Sequence, residues 1–228
     1  MSEIKISVNM LNTNEEIHQE NKNLFDEEGI FVINLMSAPG SGKTSILEKL
    51  IPKLKQNLNM AVIEGDLYTT KDAERIEAKG VPVVQVNTVG TCYLDGGMVR
   101  EASLNFDLRE IDLIIIENVG SIASAAEFEI GEDIKLCVLS VTEGNDKPLK
   151  YPLMFKKSTA IILNKIDLIE FTDFNEGEFY EDIKLLNDKA KIFQTSCRLN
   201  NGIDELSEWI LHEVVKKETF TNGNFKSC

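Results

Sequence analysis

A glycine-rich segment that ends in lysine and threonine is the clearest chemical motif in the sequence. Residues 37–44 read Ser-Ala-Pro-Gly-Ser-Gly-Lys-Thr and follow a short apolar run. They fit the phosphate-loop pattern G-x-x-x-x-G-K-S/T except at the first position, where Ser37 replaces glycine. Glycines let backbone N–H groups converge on a phosphate without Cβ clashes. Nucleotide contacts are therefore predicted at Gly40, Ser41, Gly42, Lys43, Thr44 and Ser45.

Two side chains of this loop have separate expected roles. Lys43 is expected to reach the β- and γ-phosphates of a nucleoside triphosphate, and Thr44 to offer its hydroxyl group to Mg²⁺. A helix that begins at Lys43 adds the partial positive charge of its N-terminus. The alternative is a glycine-rich helix entry without a ligand, and the preceding strand and the Gly-Lys-Thr sequence argue against it.

A second motif, N-K-x-D, follows the apolar run Ala160–Leu163 and comprises Asn164, Lys165 and Asp167. After a phosphate loop, this motif at a strand end is the guanine-recognition pattern of GTPases. Asp167 can accept hydrogen bonds from N1–H and the exocyclic amine of guanine, whereas adenine presents an acceptor at the N1 position. Two charge-assisted bonds of about 1.5–3 kcal/mol each predict a preference for guanine of about two to four orders of magnitude.

The next predicted strand ends in Gln194-Thr-Ser-Cys197, which resembles the S-A-K element of GTPases. Backbone N–H groups at Ser196 and Cys197 are expected to meet guanine O6. Cys197 takes the alanine position, and its alternative role is that of a small packing residue.

Acidic residues end two further strands and indicate a magnesium and switch site. Asp66 is expected to hold Mg²⁺ directly or through water, and its alternative role is that of an aspartate at a helix N-terminus. Glu117 and Gly120 resemble the D-x-x-G switch, with glutamate for aspartate. The Gly120 N–H group is expected to bind the γ-phosphate, and Glu117 to position a magnesium-bound or attacking water. Loss of the γ-phosphate would then release the segment. The predicted catalytic set is Lys43, Asp66, Glu117 and Gly120.

Alternating strand and helix patterns position these motifs. Apolar runs predict strands at residues 30–36, 60–64, 81–86, 112–117, 135–141, 160–163 and 191–195. Helical periodicity predicts helices at residues 13–28, 43–58, 70–79, 95–105, 179–189 and 203–217. The alternation predicts an α/β P-loop NTPase with a mostly parallel central sheet and helices on both faces.

The polar ends of the chain suggest three parts. Residues 1–29 are expected to form an extension or helix, acting as a mobile arm, a flanking helix or a partner-docking element. Residues 30–217 form the predicted P-loop GTPase domain, and residues 218–228 a flexible tail.

Charge and composition exclude several functions. The 228 residues carry a formal net charge of −14, which disfavours binding to nucleic acid or to an anionic membrane surface. The sequence offers no secretory leader pattern, so a cytoplasmic location is expected. The four cysteines are widely scattered, so a disulfide framework is not expected. Cys137 is expected in the core, and His18 and His212 at the surface.

Six stretches together resemble the HypB family, the GTPases that help insert nickel into nickel–iron hydrogenases. The resemblance covers roughly residues 13–217. The stretches are Ser37-Ala-Pro-Gly-Ser-Gly-Lys-Thr44, Val62-Ile-Glu-Gly-Asp66, Asp72-Ala-Glu-Arg-Ile76, Gln85-Val-Asn-Thr88, Ile116-Glu-Asn-Val-Gly120 and Thr142-Glu-Gly-Asn-Asp-Lys-Pro-Leu-Lys-Tyr-Pro152. The resemblance implies a GTP-dependent homodimer that uses GTP, GDP and Mg²⁺, with a nickel-binding accessory protein and a client metalloenzyme as partners.

The resemblance also implies a transition-metal site that this sequence keeps only in part. Family members bind metal at the dimer interface through a Cys-His pair and a second cysteine after the E-N-V-G stretch. The matching positions here are Cys92, Tyr93 and Ser124. Phenol and hydroxyl groups replace thiolate and imidazole poorly as ligands for Ni²⁺ or Zn²⁺. Cys92 would need help from Asp95 or other groups to close a site.

Three functions remain open from the sequence. The first is a GTPase of nickel-enzyme maturation with a weakened or rebuilt metal site and slow hydrolysis, since the sequence marks no arginine finger. The second is a GTPase switch that controls a client protein without carrying metal. The third is a P-loop small-molecule kinase, which the N-K-x-D motif and Gly120 disfavour.

Overall fold

Seven parallel strands form the centre of the protein in a computed structural model that describes residues 2–88 and 90–224. Their order across the sheet is β3-β2-β4-β1-β5-β6-β7. The strands are β1 Phe31–Ser37, β2 Met60–Asp66, β3 Val83–Asn87, β4 Leu113–Glu117, β5 Ile134–Ser140, β6 Ala160–Asn164 and β7 Lys191–Thr195. The α/β P-loop architecture with a parallel sheet is confirmed.

Helices cover both faces of this sheet. They are α1 Ser2–Glu27, α2 Lys43–Leu54, α3 Lys71–Glu77, α4 Gly96–Ser103, α5 Lys147–Lys150, α6 Pro152–Lys157, α7 Glu176–Leu186 and α8 Ile203–Asn224. Short 3₁₀ helices occupy Leu108–Glu110, Val141–Glu143 and Ile166–Phe171. No described helix combines the length and apolar character needed to cross a membrane.

Strand β1 shows why both faces need a cover. Successive side chains of a strand point to opposite faces, so a strand with apolar residues on both faces must be buried on both. Phe31 and Ile33 pack in the cluster that contains the apolar residues of α2 and α8. Val32 packs in the opposite cluster, with Phe25 of α1. All of β1 is buried, as its apolar sequence predicted.

Parallel pairing brings the chemical motifs to one edge of the sheet. Glu64 of β2 pairs in register with Glu117 of β4, and Asn164 of β6 pairs with Thr195 of β7. The phosphate loop follows β1, which lies between β4 and β5. The carboxyl ends of these strands therefore surround a single crevice, where open α/β sheets bind their ligands.

Several boundaries differ from the sequence-based expectation. Helix α2 ends at Leu54, and residues 55–58 form turns instead of continuing the predicted helix. Helix α8 continues to Asn224, into the segment assigned to a tail, and residues 225–228 lie outside the described part of the chain. Helices α5 and α6 were missed because each is short and has proline in its first turn, a residue that commonly signals a break.

The N-terminal segment forms a flanking helix. Helix α1 extends to Glu27, and Asn21 and Phe25 in its second half are fully buried against the domain. Of the roles considered from the sequence, the mobile arm does not describe residues 14–27 in this structure. Packing of an amphipathic face on the domain body is the physical reason.

Candidate functional site

The phosphate loop has the geometry that its glycines predicted. Gly40 and Gly42 have φ angles of 79° and 103°, a region that favours glycine. A Cβ atom at Gly42 would also lie 2.5 Å from Nδ2 of Asn164. Among the described residues only Lys165 and Asn200 have positive φ without being glycine, so Ser37 occupies the first loop position with ordinary backbone geometry.

Lys43 and Thr44 lie buried at the start of α2. The Lys43 Nζ atom donates to Ser37 Oγ at 2.9 Å, and Thr44 Oγ1 donates to Glu117 Oε1 at 2.7 Å. Burial lowers the pKa of Lys43, while the neighbouring carboxylates of Glu117 and Asp72 oppose that shift. Both polar groups therefore have protein partners that a phosphate and a cation can replace.

Carboxylates from two strands and a helix lie beside this loop. One oxygen each from Glu64, Asp66 and Asp72 fall within 4.8 Å of one another, and this is the only such group of three or more potential metal ligands in the described residues. Burial and the adjacent Glu117 raise the pKa of Glu64 to about 8. Burial also raises the pKa of Glu117 to about 7, although Lys43 and the Thr44 hydroxyl group oppose the shift.

Two carboxylate oxygens in this group are available for a further contact. Oε2 of Glu64 and Oε2 of Glu117 are buried without a hydrogen-bond partner in the described structure. The two residues are only 2% and 3% exposed, so water compensates them little. Hard oxygen donors of this kind, with the Thr44 hydroxyl group, suit a magnesium ion.

Asp66 is held by a turn after β2. Its Oδ1 atom accepts hydrogen bonds from the N–H groups of Tyr68 at 2.9 Å and Thr69 at 3.3 Å. Burial opposes ionisation, but these backbone donors lower the pKa of Asp66. Helix α3 begins at Lys71 after Thr70, so Asp66 does not cap it. The charged carboxylate faces the cavity beside the phosphate loop.

The structure adds Arg75 and Asp72 to the predicted residues. Arg75 donates to Asp72 Oδ1 at 2.7 Å, to Glu48 Oε2 at 2.6 Å and to Ser45 Oγ at 3.3 Å. Sequence reasoning missed both residues because α3 reaches the site only through the fold. Glu64 was also missed, although a glutamate two positions before Asp66 in a buried strand was a usable signal.

The N-K-x-D segment contacts the phosphate loop directly. Asn164 donates from Nδ2 to the Ser41 carbonyl at 2.8 Å, and its Oδ1 atom accepts from Thr195 Oγ1 at 3.0 Å. Lys165 adopts a φ angle of 61° and donates from Nζ to the Gly40 carbonyl at 2.7 Å. Asn164 thus ties the phosphate loop to strand β7.

The predicted base-contacting residues meet at the ends of β6 and β7. Ser196 Oγ donates to Asp167 Oδ1 at 2.6 Å. Cys197 Sγ lies 3.9 Å from Asn164 Oδ1 and packs partly buried against the core, and burial raises the pKa of its thiol. Asp167, Ser196 and Cys197 do not line the cavity beside the phosphate loop.

A cavity of about 440 Å³ joins most of the predicted residues. Gly120 borders it, and a Cβ atom there would come within 3.1 Å of the Pro39 Cα atom. The segment after β4 therefore lies close enough to the phosphate loop to favour glycine at this position. Lining residues include Gly40, Gly42, Lys43, Thr44, Ser45, Asp66, Glu117, Gly120 and Lys165.

Comparison with known proteins shows the family of the chain. Residues 31–194 match the family described as "CobW/HypB/UreG, nucleotide-binding domain". The chain is also 42% identical over 207 residues to the hydrogenase maturation factor HypB of Azotobacter vinelandii, covering 91% of this chain and 68% of that protein. The chain belongs to the HypB family. It is accordingly a P-loop GTPase with an accessory role in the maturation of nickel enzymes.

Further HypB relatives match in length and in structure. The probable hydrogenase maturation factor HypB of Methanocaldococcus jannaschii is 36% identical over 211 residues, which cover 92% of this chain and 96% of that protein. A crystal structure of HypB from Helicobacter pylori in complex with nickel superposes with a TM-score of 0.85 at 35% identity, covering 90% of this chain and 96% of that one. The signal recognition particle receptor FtsY of Elizabethkingia anophelis, at 17% identity and a TM-score of 0.54, shares the fold.

Cys92 and Tyr93, where the sequence predicted part of a HypB-like metal site, have different surroundings. Cys92 is exposed, whereas the Tyr93 ring stacks on Phe128 with 4.0 Å between centroids and 13° between planes. Partial burial, with Asp95 and Glu127 nearby, raises the pKa of Tyr93. Oδ1 of Asp95, considered as help for Cys92, accepts the Met98 N–H at the start of α4.

Ser124, Cys137 and the two histidines have contacts or positions of their own in the structure. The Ser124 N–H donates to Ser121 Oγ at 3.3 Å. Cys137 is fully buried and burial raises the pKa of its thiol, as expected for a core residue. His212 is exposed as predicted, and His18 is half-buried, with its Nδ1 atom accepting the Gly131 N–H at 3.0 Å.

Proposed function

We propose that the chain binds GTP and GDP with Mg²⁺ in the cavity beside the phosphate loop. The observation that carries this proposal is the convergence of Lys43, Thr44, Asp66 and Glu117 on one crevice, with the N-K-x-D segment bonded to the same loop. Lys43 exchanges its bond with Ser37 for bonds to the β- and γ-phosphates. Asp167 accepts from the guanine base, and the backbone N–H group of Cys197 faces its O6 atom, because the Ser196 N–H group already donates to the Asn201 carbonyl at 3.1 Å.

Thr44 and Asp66 would hold the magnesium ion, and the unpartnered oxygens of Glu64 and Glu117, which line the same cavity, would accept hydrogen bonds from its water ligands. When bound, the ion neutralises charge on the β- and γ-phosphates. Glu117 is buried and accepts a hydrogen bond from Thr44, so it is placed to accept a second hydrogen bond from a water molecule. Gly120 N–H provides the contact that depends on the γ-phosphate.

Intrinsic hydrolysis is expected to be slow. Arg75 is the arginine that lines the cavity, and Asp72, Glu48 and Ser45 already hold its guanidinium group. An arginine free to stabilise the transition state can accelerate a GTPase by about 10³–10⁵. We therefore expect activity to depend on homodimerisation or on a partner.

Nickel is proposed as the cargo, with a weakened site centred on Cys92. HypB from Helicobacter pylori was crystallised with nickel, and maturation of a nickel enzyme requires delivery of the ion. Cys92 is exposed and can meet its symmetry mate or a partner's ligand in a homodimer. A nickel-binding accessory protein and a client hydrogenase would supply the remaining steps of transfer.

A second candidate is a GTPase switch that controls the client without carrying metal. The stack of Tyr93 on Phe128 favours it, because the ring that replaces the expected histidine is used for packing. Both candidates share the nucleotide site and the nucleotide-dependent homodimer. They differ only in whether Cys92 binds a transition metal.

Titration of Ni²⁺ and Zn²⁺ decides between them. The titration is performed without nucleotide and with a non-hydrolysable GTP analogue plus Mg²⁺, while light scattering measures the dimer. Micromolar or tighter nickel binding that Cys92→Ala abolishes supports the metal carrier, and Cys228→Ala serves as the thiol control. Nucleotide-dependent dimerisation without specific metal binding supports the second candidate. Failure to bind guanine nucleotide would contradict both.

A further inference from the structure

Helix α1 carries a row of polar side chains on its buried face. Asn14, His18 and Asn21 follow helical spacing and so project from one side of the helix. Asn14 is 7% exposed and Asn21 is fully buried. Buried amides of this kind are costly unless they are hydrogen-bonded, so their partners show what they hold in place.

Their partners are backbone groups of two separate segments. Asn14 accepts the Gly96 N–H at 2.8 Å and donates to the Glu129 carbonyl at 2.7 Å. Asn21 donates to the Gly96 carbonyl at 2.7 Å and to the Ile130 carbonyl at 3.1 Å. Each asparagine therefore bridges the start of α4 to the segment that precedes β5.

Glycine at both contact points permits this close approach. A Cβ atom at Gly96 would lie 3.1 Å from Ile17 Cγ2 and 3.2 Å from Asn14 Oδ1. A Cβ atom at Gly131, whose φ angle is 103°, would lie 2.6 Å from the Asn21 Cβ atom. A larger residue at Gly131 would displace α1, and one at Gly96 would crowd the side chains of Ile17 and Asn14.

The same two segments are joined from inside the domain, next to the nucleotide cavity. Asn118 immediately follows Glu117, and its Oδ1 atom accepts the Leu94 N–H at 3.1 Å. Asn118 also donates to Asn34 Oδ1, and Asn34 donates to Glu132 Oε1, both at 3.1 Å. Oε2 of Glu132 accepts the Ile130 N–H at 2.7 Å.

A continuous polar path therefore links the nucleotide site to α1. Glu117 is bonded to Thr44 of the phosphate loop, and Asn118 to Leu94, two residues before Gly96. We propose that Asn14 and Asn21 are positioning residues of the nucleotide switch, which couple the packing of α1 to the nucleotide at the phosphate loop. This inference rests on the proposed guanine-nucleotide site.

Coupling between two sites is reciprocal, which gives the proposal two independent readouts. If exchange of GDP for GTP changes how firmly α1 is held, then loosening α1 must change the ratio of the two affinities by the same factor. A purely structural role of α1 would lower the melting temperature and leave that ratio unchanged. Measured couplings are typically about 5- to 150-fold.

The first experiment uses hydrogen–deuterium exchange of the wild-type chain without nucleotide, with GDP and with a non-hydrolysable GTP analogue plus Mg²⁺. Peptides covering residues 14–27 and 92–98 are expected to differ in protection between the GDP and GTP states. Equal protection of α1 in all states, while the phosphate loop becomes protected, would overturn the coupling and leave the proposed function intact. Absence of protection anywhere would instead contradict nucleotide binding.

The second experiment measures GDP and GTP-analogue affinities of Asn21→Ala and Asn14→Ala. Asn23→Ala is the matched control, since Asn23 is exposed on the same helix and accepts only from Gln19 in the described structure. The affinity ratio is expected to change by about fivefold or more in the first two variants. An unchanged ratio in a folded variant with faster exchange in α1 would overturn the proposal. Asn14→Ala keeps the test decisive if Asn21→Ala fails to fold, because it removes one bridge and leaves the other.

Discussion

The nucleotide cavity and the Cys92 segment lie near each other in the protein but differ in how their residues are used. At the cavity, the buried Lys43 donates a hydrogen bond to Ser37, and the buried Thr44 donates one to Glu117. The second carboxylate oxygen of Glu117 has no hydrogen-bond partner in the described structure. At the other region, Cys92 is exposed and Tyr93 is stacked on Phe128. One region is arranged to bind, and the other is arranged mainly to pack.

This difference follows from the chemistry that each site requires. A phosphate loop binds through backbone N–H groups and a helix N-terminus, so a single change at Ser37 leaves its geometry in place. A transition-metal site needs several thiolate or imidazole groups at bonding distance. If the metal ligands of the family stand at Cys92, Tyr93 and Ser124, as the resemblance implies, then tyrosine and serine remove most of that site, even though the surrounding backbone keeps the HypB fold.

The largest expected effect comes from Lys43→Ala. Loss of charge-assisted bonds to the phosphates, at about 1.5–3 kcal/mol each, should weaken GTP binding by at least about 100-fold. Isothermal titration measures the change. Lys53→Ala is the control, because Lys53 lies on the same helix and pairs with Asp204 at the surface. Unchanged affinity in Lys43→Ala would contradict the assignment of the phosphate loop.

Asp167→Asn should alter the base preference at the same site. We expect about 100-fold weaker GTP binding and improved binding of xanthosine triphosphate, whose O2 atom accepts where guanine donates. Competition binding with the two nucleotides measures the switch. Asp173→Asn changes an exposed carboxylate nearby and should have no such effect. Persistent selectivity for GTP would place base recognition elsewhere.

Restoring ligand chemistry should make the second region resemble a binding site. In Tyr93→His/Ser124→Cys, an imidazole and a thiol join Cys92, and we expect nickel affinity to rise by about tenfold or more. Equilibrium dialysis against Ni²⁺ measures it. The control is the triple variant, in which Cys92→Ala is added to the two substitutions. If nickel binds no better than to the wild type, the backbone of this segment and not its side chains limits the site.

The paired carboxylates predict a pH dependence that is specific to the cavity. The pKa of Glu64 is about 8 in the folded state, above its ordinary value of 4.5, so the folded state binds a proton that the unfolded state releases. This contribution to stability is present at pH 4.5 and is lost as the pH rises through 8. Glu64→Gln should weaken that loss by at least about 1 kcal/mol.

Urea unfolding without nucleotide or Mg²⁺ measures this difference between pH 5.5 and pH 8.5. Glu77→Gln on the exposed face of α3 is the control and should retain the wild-type slope. Parallel curves for the wild type and Glu64→Gln would show that burial does not hold a proton at this position.

The smallest effect is expected for the aromatic pair in the second region. A double-mutant cycle of Tyr93→Leu and Phe128→Leu should give a coupling free energy of about 0.5–1.5 kcal/mol in thermal or urea unfolding. The stacked geometry is the reason. A coupling near zero would mean that the tyrosine is not retained for packing.

Most of the nucleotide cavity could be predicted because its residues are adjacent in sequence or end apolar strands. Gly40–Ser45, Asp66, Glu117 and Gly120 all carry such local signals. Asp72 and Arg75 lie in a stretch that resembles the family, but no local pattern gave them a role, since α3 meets the phosphate loop only after β2 pairs with β4. The sequence also placed the predicted base-contacting residues at the ends of β6 and β7. It did not predict that the Ser196 hydroxyl group donates to the Asp167 carboxylate beside the cavity.

The sequence by itself determined the parallel sheet, the phosphate loop and the nucleotide class, because these depend on hydrophobic period and short motifs. The tertiary structure decided which polar groups lost water and gained partners. It placed Glu64 beside Glu117, turned Tyr93 onto Phe128 and brought Asn21 to Gly96. These contacts join residues far apart in the chain, and burial sets their energy, so no local pattern could have specified them.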